Sequence, residues 1–569
     1  MREWRGFDTE TVMGRAILCT TDQDALAYPR SFAEIVEWLA AQGERFSAFN
    51  MDYDARAGFL MLPRPVLTKL HYNTRAIWRG YKLEYLPRKC LAVTTPEKKR
   101  IEVYDVRQFY GGSLASAARA VGMEKHELPK SWYWRMDWAL EKWPETVIAY
   151  ALEDADIARA LMVKVETSLS NMGRPCKRPF SPAAVARAYF GERLKFDEPR
   201  WVQYLHKSAY RGGRIEVFQR GRTGAGVALD LNSAYPAALA RALDPRKMTL
   251  AHTKTFREDA FYGSYRCEVT IPREGFRMLG PLAYTDEIEG VKTAVYPTGI
   301  FEVVLDRESY KLARDLGIGV KILDSWEYIV NESILLFPEI PALYERRKTE
   351  PELSLAIKLT LNGLYGILCQ EIGVYVKAKR VTEETRELAG AFQHRISRLG
   401  NCTHFAVAAF VTGATRALVY RLASLRPSKL LYIATDGVGF QGESPIQPDE
   451  GKPLGGWSAE TFEDSVIVGC GVYSLKKGGK WVDKMRGLRT TRPLIEMLDT
   501  PRRTWKTSVV NVDTLADHVR ESGAELNVIR KIKRTFDVNF DVKRAWPEPV
   551  RSARFLLENR QTSETLEVV

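Results

Sequence analysis

Short apolar runs alternate with amphipathic stretches over the first third of the chain. Residues 1 to about 170 switch repeatedly between strand-like and helix-like patterns, which predicts an α/β domain. Two later apolar runs, residues 227–229 and 430–433, have the length and composition of buried strands. A polar turn follows each run, so the side chains at these strand ends are expected to be held by rigid backbone.

An aspartate follows each of these two predicted strands. Asp230 comes directly after the first run, and Pro236 prevents that strand from continuing. Asp436 follows the second run. Carboxylates fixed in this way are suited to binding a divalent metal ion.

Between the two aspartates, one predicted helix carries a cation, an amide and an aromatic ring. Lys358, Asn362 and Tyr365 stand at positions i, i+4 and i+7, so they share one helical face. Lysine can neutralise phosphate charge, and tyrosine can pack on a base pair. Two carboxylates and a cationic helix meet the requirements of metal-assisted nucleotidyl transfer.

A second group of acidic residues lies near the N-terminus. Asp8 and Glu10 are two residues apart in a predicted strand and therefore share a face, whereas Tyr150 and Asp154 are one helical turn apart. Together with Asp54, these carboxylates can hold two metal ions and orient a water for phosphodiester cleavage. Three neighbouring acidic residues do not fit this spacing: Asp52, Glu153 and Asp156.

Composition adds a preference for an anionic partner. The chain has 84 Lys and Arg against 71 Asp and Glu, a net charge of +13. Its seven cysteines are scattered without a C-x-x-C pair, which argues against structural zinc and for a reducing compartment. No apolar run approaches membrane-spanning length. Because a candidate site residue already stands at position 8, we expect no signal or transit peptide and a cytoplasmic location.

The motifs resemble those of a known enzyme family. Residues 230–236 (DLNSAYP), 358–366 (KLTLNGLYG) and 432–437 (YIATDG) resemble motifs A, B and C of the family B DNA polymerases, which read D-x-x-S-L-Y-P, K-x-x-x-N-S-x-Y-G and Y-x-D-T-D-S. The N-terminal acidic group resembles the DEDDy 3′→5′ exonucleases. Tyr210-Arg211-Gly212-Gly213 resembles the Y-x-G-G motif of the protein-primed branch found in phages and linear plasmids. Ala434 departs from motif C, which usually has an aspartate there.

The resemblance implies a multidomain α/β and α+β fold. A ribonuclease-H-like exonuclease domain would occupy residues 1–180. Palm and fingers would follow over 181–475, with insertions near 255–340 and 372–402, and a thumb and C-terminal region would occupy 476–569. A polar run over residues 382–399 is expected to be helical and to belong to the second insertion.

The resemblance also assigns roles to individual residues. Metal-binding catalytic carboxylates would be Asp230, Asp436, Asp8, Glu10, Asp54 and Asp154, with Tyr150 placing the water. Nucleotide contacts would come from Tyr235, Lys358, Asn362, Tyr365 and Arg346. DNA contacts would come from Tyr210, Arg211, Gly212, Gly213, Thr11, Asn50, Tyr53 and Tyr473. Arg214, Arg220 and Arg222 would add charge after the Y-x-G-G segment.

A second departure lies beyond motif C. The family usually carries K-x-Y, which steadies the primer terminus, but here Gly471 precedes Val472 and Tyr473. The missing charge could come from Lys476, Lys477, Lys480 or Lys484. A solvated β-hairpin around Gly478 and Gly479 is an equally good interpretation of these lysines.

The implied activity is DNA-directed DNA synthesis with proofreading, in replication of a phage or mobile-element genome. Each active site would take two Mg²⁺ ions, with Mn²⁺ as a substitute, and a monomer would act on template, primer and dNTPs in the host cytoplasm. Two alternatives stay open: an exonuclease with a degenerate polymerase domain, and a non-catalytic DNA-binding replication scaffold. The primer also stays open between a terminal protein, a nucleic acid and none.

Overall fold

The computed structural model describes residues 3–288, 291–377, 393–486, 492–512, 514–515, 519 and 529–568. The chain forms two compact units. Unit 1 contains Met1–Gly191, Arg346–Gly400 and Val510–Lys531, and unit 2 contains Glu192–Glu345, Asn401–Val509 and Ile532–Val569. The domain boundaries predicted from the sequence stay a prediction.

The N-terminal part of unit 1 mixes strands and helices, as its sequence pattern predicts. Its strands are β1 (Arg5–Gly6), β2 (Asp8–Val12), β3 (Arg15–Thr20), β4 (Ala25–Ala27), β5 (Arg45–Ala48), β6 (Arg75–Trp78), β7 (Tyr81–Leu86), β8 (Cys90–Thr94) and β9 (Arg100–Asp105). Its helices are α1 (Phe32–Gln42), α2 (Met51–Phe59), α3 (Arg64–Asn73), α4 (Arg107–Tyr110), α5 (Leu114–Ala118), α6 (Met136–Lys142), α7 (Pro144–Asn171) and α8 (Pro182–Phe190).

A six-stranded sheet forms the centre of this part, in the order β1-β5-β9-β8-β7-β6. The pairs β1–β5 and β5–β9 are parallel, whereas β9, β8, β7 and β6 form antiparallel pairs. A separate three-stranded sheet, β2-β3-β4, carries the first acidic motif. Aromatic and aliphatic side chains from α1, α2 and the central sheet pack into one core, which includes Phe32, Phe46 and Phe59.

The part of unit 2 before residue 346 is mainly β-structure. Its strands are β10 (Arg214–Val217), β11 (Gln219–Arg222), β12 (Gly226–Leu231), β13 (Met248–Thr253), β14 (Ala260–Ile271), β15 (Tyr284–Ile288), β16 (Val291–Val295), β17 (Thr298–Asp306) and β18 (Gly319–Val330). Its helices are α9 (Arg200–Ala209), α10 (Ala234–Leu239), α11 (Arg273–Phe276), α12 (Arg307–Asp315) and α13 (Ile340–Thr349), whose last residues enter unit 1.

Unit 1 then resumes with the helix that carries motif B, α14 (Pro351–Leu368), followed by β19 (Glu371–Lys377) and β20 (Gln393–Leu399). The two strands pair antiparallel. The expectation of a helix over 382–399 is therefore wrong for residues 393–399, where strand pairing overrides a polar pattern with helical spacing. The rest of that expectation, over residues 382–392, lies outside the described part of the chain.

The C-terminal part contains helices α15 (Phe405–Ala423), α16 (Leu494–Leu498) and α17 (Phe555–Glu558). Its strands are β21 (Leu430–Thr435), β22 (Gly437–Gln441), β23 (Trp457–Phe462), β24 (Asp464–Gly469), β25 (Val472–Lys477), β26 (Lys480–Met485), β27 (Thr504–Val512), β28 (Ile529–Asp537), β29 (Arg560–Thr562) and β30 (Glu567–Val568).

Three five-stranded sheets organise unit 2. The first, in the order β10-β21-β22-β12-β23, carries motifs A and C. The second has the order β26-β25-β24-β11-β29, and the third has the order β13-β18-β14-β17-β30. The third sheet coincides largely with the predicted insertion near 255–340.

Helix α15 is long and apolar enough to cross a membrane, contrary to the expectation that no apolar run approaches that length. However, 89% of its apolar window is buried inside the protein. Its side chains, among them Val419 and Tyr420, pack against the sheet of motifs A and C. These contacts are those of a core helix in a globular unit.

Candidate active sites

The structure brings the four N-terminal carboxylates together in unit 1. Asp8 and Glu10 project from β2, Asp54 lies in the first turn of α2, and Asp154 lies on the long helix α7. Asp54 and Asp154 are almost fully buried. The hydroxyl of Thr9 donates a hydrogen bond of 2.7 Å to Asp54 Oδ1, which ties α2 to β2.

The pKa values of these carboxylates show how close the negative charges lie. Burial, and then the charge of Asp154, raises the pKa of Asp8 to about 7. Burial also raises the pKa of Glu10 well above its usual value, with added repulsion from Asp8 and Asp154. The pKa of Asp54 is raised by burial and by Asp8. Buried carboxylates that repel each other in this way hold protons more tightly, and a nearby positive charge stabilises their ionised form.

Lys125 lies among these carboxylates, although nothing in its sequence spacing singled it out. Its ammonium donates to both carboxylate oxygens of Asp154 and lies 3.1 Å from the hydroxyl of Tyr150. The positive charge lowers the pKa values of Asp8 and Glu10 against the effect of burial. Lys125 therefore connects the predicted water-placing tyrosine to the carboxylate group.

The three acidic residues rejected by spacing have partners elsewhere. Asp52 accepts hydrogen bonds from the hydroxyl of Tyr85 and the backbone N–H of Arg88. Glu153 pairs with His126 at 2.7 Å, and Asp156 pairs with Arg159 at 2.7 Å. The spacing argument thus separated the converging carboxylates from their neighbours.

The predicted DNA contacts of unit 1 lie beside this group. Thr11 and Tyr53 share a hydroxyl–hydroxyl hydrogen bond of 2.5 Å. Asn50 caps α2 in the left-handed conformation, with φ at 76°, and its side-chain oxygen accepts from Arg107 at 3.1 Å. Burial, and then the charges of Asp54 and Glu10, raise the pKa of Tyr53, so this polar pair lies close to the acidic site. Their contact with DNA stays a prediction.

The second site lies in unit 2, where the strands of motifs A and C are neighbours. Asp230, near the end of β12, pairs in register with Gly437, which directly follows Asp436. The backbone N–H of Leu231 donates to the carbonyl of Asp436 at 3.0 Å. Burial and the charge of Asp436 raise the pKa of Asp230 to about 6, and burial also raises the pKa of Asp436. The two carboxylates therefore share one partly buried site.

A cleft of about 750 Å³ opens over these carboxylates. Its walls include Ala434, Tyr473 and Lys484 as well as Asp230 and Asp436. The ring of Tyr473 stacks on that of Tyr432 in motif C, with 4.9 Å between centroids and 16° between planes. The predicted DNA contact Tyr473 thus lies on the wall of the cleft.

Both sites offer carboxylate oxygens, the ligand type that Mg²⁺ prefers. In the described part of the chain, no group of three or more His, Cys, Asp or Glu side chains is arranged to hold a metal ion. In unit 2 this agrees with Ala434, which offers no oxygen where the motif usually has one. Mg²⁺ commonly takes one or two protein carboxylates and completes its shell with water and substrate phosphates. Asp230 and Asp436 fit this pattern, and the carboxylates of unit 1 supply the same kind of oxygen ligand, with Lys125 bonded to those of Asp154.

The Y-x-G-G segment packs directly against motif C. Gly213 lies against Thr435, and a Cβ atom at position 213 would come within 2.5 Å of the Thr435 side chain. Thr435 itself has a positive φ of 68°, which is strained for a β-branched residue and directs the chain to Asp436. Arg416 donates to the carbonyls of Arg211 and Gly212 at 2.6 and 3.0 Å. The segment therefore supports the motif C turn.

The arginines around this segment differ from the expectation. Arg214 and Arg220 are each 1% exposed, so the prediction that they supply charge to DNA is wrong. Arg214 pairs with Glu216, and Arg220 donates to the Gln561 side chain at 2.7 Å. A buried charged group requires such partners, and the sequence alone does not show which arginines are buried. The guanidinium of Arg211 also bonds to backbone carbonyls, and its DNA contact, like that of Tyr210, stays a prediction.

Motif B was predicted to present one helical face, and α14 does so. Lys358 and Asn362 are exposed and Tyr365 is partly exposed, whereas the residues between them are mostly buried. Arg346, predicted to reach the triphosphate, forms two hydrogen bonds of 2.7 and 2.9 Å with Glu350. Nucleotide contact by Lys358, Asn362, Tyr365 and Arg346 stays a prediction.

Both a family model and solved structures that this chain matches are those of DNA polymerases. Residues 200–387, which contain motifs A and B, match the family described as DNA polymerase type B, organellar and viral. A search of curated proteins finds no match for the chain.

Solved structures of phi29 DNA polymerase are similar over nearly the whole chain. The complex with primer-template DNA and incoming nucleotides has a TM-score of 0.67, and the complexes with single-stranded DNA and with primer-template DNA each have 0.65. In each case the identity is 15%, with 95% of this chain and 100% of that chain covered. The predicted multidomain fold and the resemblance to the type B DNA polymerases are therefore confirmed.

Proposed function

We propose that this DNA polymerase adds deoxynucleotides to a 3′-hydroxyl at Asp230 and Asp436, using magnesium, and removes mispaired 3′ ends at a separate exonuclease site in unit 1. The observation that carries the polymerase proposal is the convergence of Asp230 and Asp436 on one cleft, from adjacent antiparallel strands. The phi29 structures with primer-template DNA and incoming nucleotides support the same ligands here.

The residues of the three polymerase motifs would have distinct tasks. Asp230 and Asp436 would hold two magnesium ions, which when bound supply positive charge at the attacking oxygen and the leaving pyrophosphate. Lys358 would neutralise triphosphate charge, and Tyr365 on the same helical face would pack on the nascent base pair. Tyr235, in the first turn of the helix after Asp230, would lie under the sugar of the incoming nucleotide.

The residues of unit 1 suit hydrolysis of a phosphodiester. Asp8, Glu10, Asp54 and Asp154 would hold magnesium at this second site. Tyr150 and Lys125, whose hydroxyl and ammonium lie 3.1 Å apart, would orient the attacking water. Because Lys125 also bonds to Asp154, its position would depend on the charge that the carboxylates carry.

We further propose that a protein hydroxyl can serve as the primer. The supporting observations are the type B match, the Y-x-G-G segment beside motif C, and the additional sheet of β13, β14, β17, β18 and β30. Primer strands made of nucleic acid would use the same carboxylates, so the two modes of initiation do not exclude each other.

One experiment tests synthesis and initiation together. Purified protein is incubated with Mg²⁺, labelled dNTPs and primed or unprimed template, with or without proteins encoded next to it. We expect extension of the primed template, and a covalent protein–nucleotide adduct when the partner is present. Extension without any adduct would overturn the protein-priming proposal. Absence of extension and adduct under all conditions would overturn polymerisation.

Tyr235 is expected to discriminate against ribonucleotides. A ring under the sugar leaves no room for a 2′-hydroxyl, and such overpacking costs about 1–3 kcal/mol. Tyr235→Ala should therefore raise ribonucleotide incorporation relative to deoxynucleotide incorporation by about 10- to 100-fold. The measurement is kcat/KM for each nucleotide, with Tyr235→Phe as the control that keeps the ring. Equal ratios in all three proteins would place Tyr235 away from the sugar.

A further inference from the structure

The hairpin of β25 and β26 turns one face toward the cleft of motifs A and C. Tyr473 on β25 and Lys484 on β26 are directly opposite each other in the ladder. Residues in this position have their side chains on the same face of the sheet. Both residues line the cleft, as do their next same-face neighbours Leu475 and Val482. Lys484 thus reaches the cleft from a strand that carries none of the polymerase motifs.

The surroundings of Lys484 distinguish it from another cleft lysine. Lys477 also lines the cleft, but its ammonium is held by Glu460 at 2.6 Å. Lys484 is exposed, and its ammonium lies 5.9 Å from the centre of the Tyr473 ring. The neighbouring Asp483 also lines the cleft, but its carboxylate accepts from the Ser474 hydroxyl at 2.6 Å and from the backbone N–H of Leu494 at 2.7 Å.

The charge of Lys484 acts on both candidate catalytic carboxylates. It lowers the pKa of Asp230 and the pKa of Asp436, in each case against the effect of burial. This agrees with the cleft geometry, because Lys484 and the two aspartates line the same cleft. A cation in this position faces any phosphate that the carboxylates and their metal ions attract.

The backbone near the start of β25 explains why the cation comes from the second strand. Gly471 has a positive φ of 74°, and a Cβ atom there would lie 2.9 Å from Cβ of Arg486. A side chain at position 471 would therefore be strained and would displace its neighbour. The hairpin turn at Gly478 and Gly479 fixes the register that brings Lys484 opposite Tyr473.

We propose that Lys484 binds a phosphate of the nucleic acid substrate in this cleft, with the ring of Tyr473 supporting its side chain. This inference rests on the proposed polymerase function. The phosphate belongs either to the 3′ end of the primer strand or to the incoming nucleoside triphosphate, since both present the same anionic oxygens. Lysine suits either one as a point charge.

The test compares Lys484→Ala and Lys484→Arg with the control Lys429→Ala, which removes another exposed lysine of unit 2. Affinity for primer-template DNA is measured without metal at several salt concentrations, and KM for dNTP is measured in extension. If the phosphate is in the primer, Lys484→Ala should weaken DNA binding about tenfold and reduce the salt slope by about 0.9. If it is in the triphosphate, KM for dNTP should rise about tenfold instead.

Lys484→Arg keeps the positive charge. It should therefore stay close to wild type in DNA affinity if the phosphate is in the primer, and in KM for dNTP if it is in the triphosphate. If Lys484→Ala matches Lys429→Ala in DNA affinity, salt slope and KM, the proposal is overturned. A change in melting temperature alone, with all three quantities unaltered, would likewise show a purely structural role. If wild-type protein binds DNA but adds no nucleotide, polymerisation fails, while the salt slope still decides whether Lys484 contacts the primer strand.

Discussion

Asp436→Ala is expected to lower the rate of nucleotide addition by about 10²- to 10⁴-fold, because metal-bound carboxylates contribute several kcal/mol of transition-state stabilisation. Asp436 shares its site with only one neighbouring carboxylate of the polymerase motifs, Asp230, because Ala434 has replaced the other. The polymerase motifs therefore offer few other carboxylates that could replace Asp436 as a metal ligand. The measurement is single-nucleotide addition to a primed template under saturating dNTP, with Mg²⁺ and with Mn²⁺.

Two further variants make this result specific. Asp315→Asn, which alters an exposed ion pair with Arg421 in the same unit, should leave the rate unchanged. Ala434→Asp tests the alternative of a degenerate polymerase domain, since it restores the oxygen that the motif usually supplies. If wild-type protein binds primed DNA and degrades it without adding nucleotides under either metal, and Ala434→Asp restores addition, the degenerate-domain alternative is correct.

If the wild-type protein adds nucleotides and Asp436→Ala does not, one aspartate in motif C is sufficient for synthesis. The structure gives a physical reason to expect this result. Asp436 is held by the hydrogen bond between its carbonyl and Leu231, and the Thr435 backbone directs the turn. Neither contact uses a side chain at position 434, so loss of an aspartate there does not disturb the placement of Asp436.

The sequence predicted those parts of the sites that depend on local periodicity. Asp8 and Glu10 share a strand face and Lys358 and Asn362 share a helical face because the spacing of side chains along regular structure is fixed. The same argument excluded Asp156, which pairs with Arg159 in the structure. Such features need no knowledge of how distant segments pack.

Features that depend on tertiary packing could not be predicted in this way. Lys125 reaches Asp154 and Tyr150 from a loop, and no sequence spacing connects these residues. Arg214 looked like a surface cation, yet it pairs with Glu216 inside the protein, because a nearby acid makes its burial possible. Both contacts arise from pairing and loop geometry that a single sequence leaves undetermined.

Combined substitution of Asp8→Ala and Glu10→Ala is expected to abolish 3′-end degradation, to below about one thousandth of the wild-type rate, while primer extension continues. The variant removes two carboxylates from a site where burial and mutual repulsion raise their pKa values, so their loss relieves repulsion and should not unfold β2. The measurement is release of labelled nucleotide from single-stranded DNA, with extension assayed in parallel.

Extension should survive this double substitution because Asp230 and Asp436 belong to unit 2, whereas Asp8 and Glu10 belong to unit 1. The matched control is Asp156→Asn, which changes a carboxylate on the same helix as Asp154 that pairs with Arg159. This control should degrade DNA at the wild-type rate. If the double variant loses extension and keeps degradation, the assignment of the two activities to their carboxylate groups is wrong. If both activities fall together while the melting temperature holds, the two sites are functionally coupled, contrary to the separation proposed here.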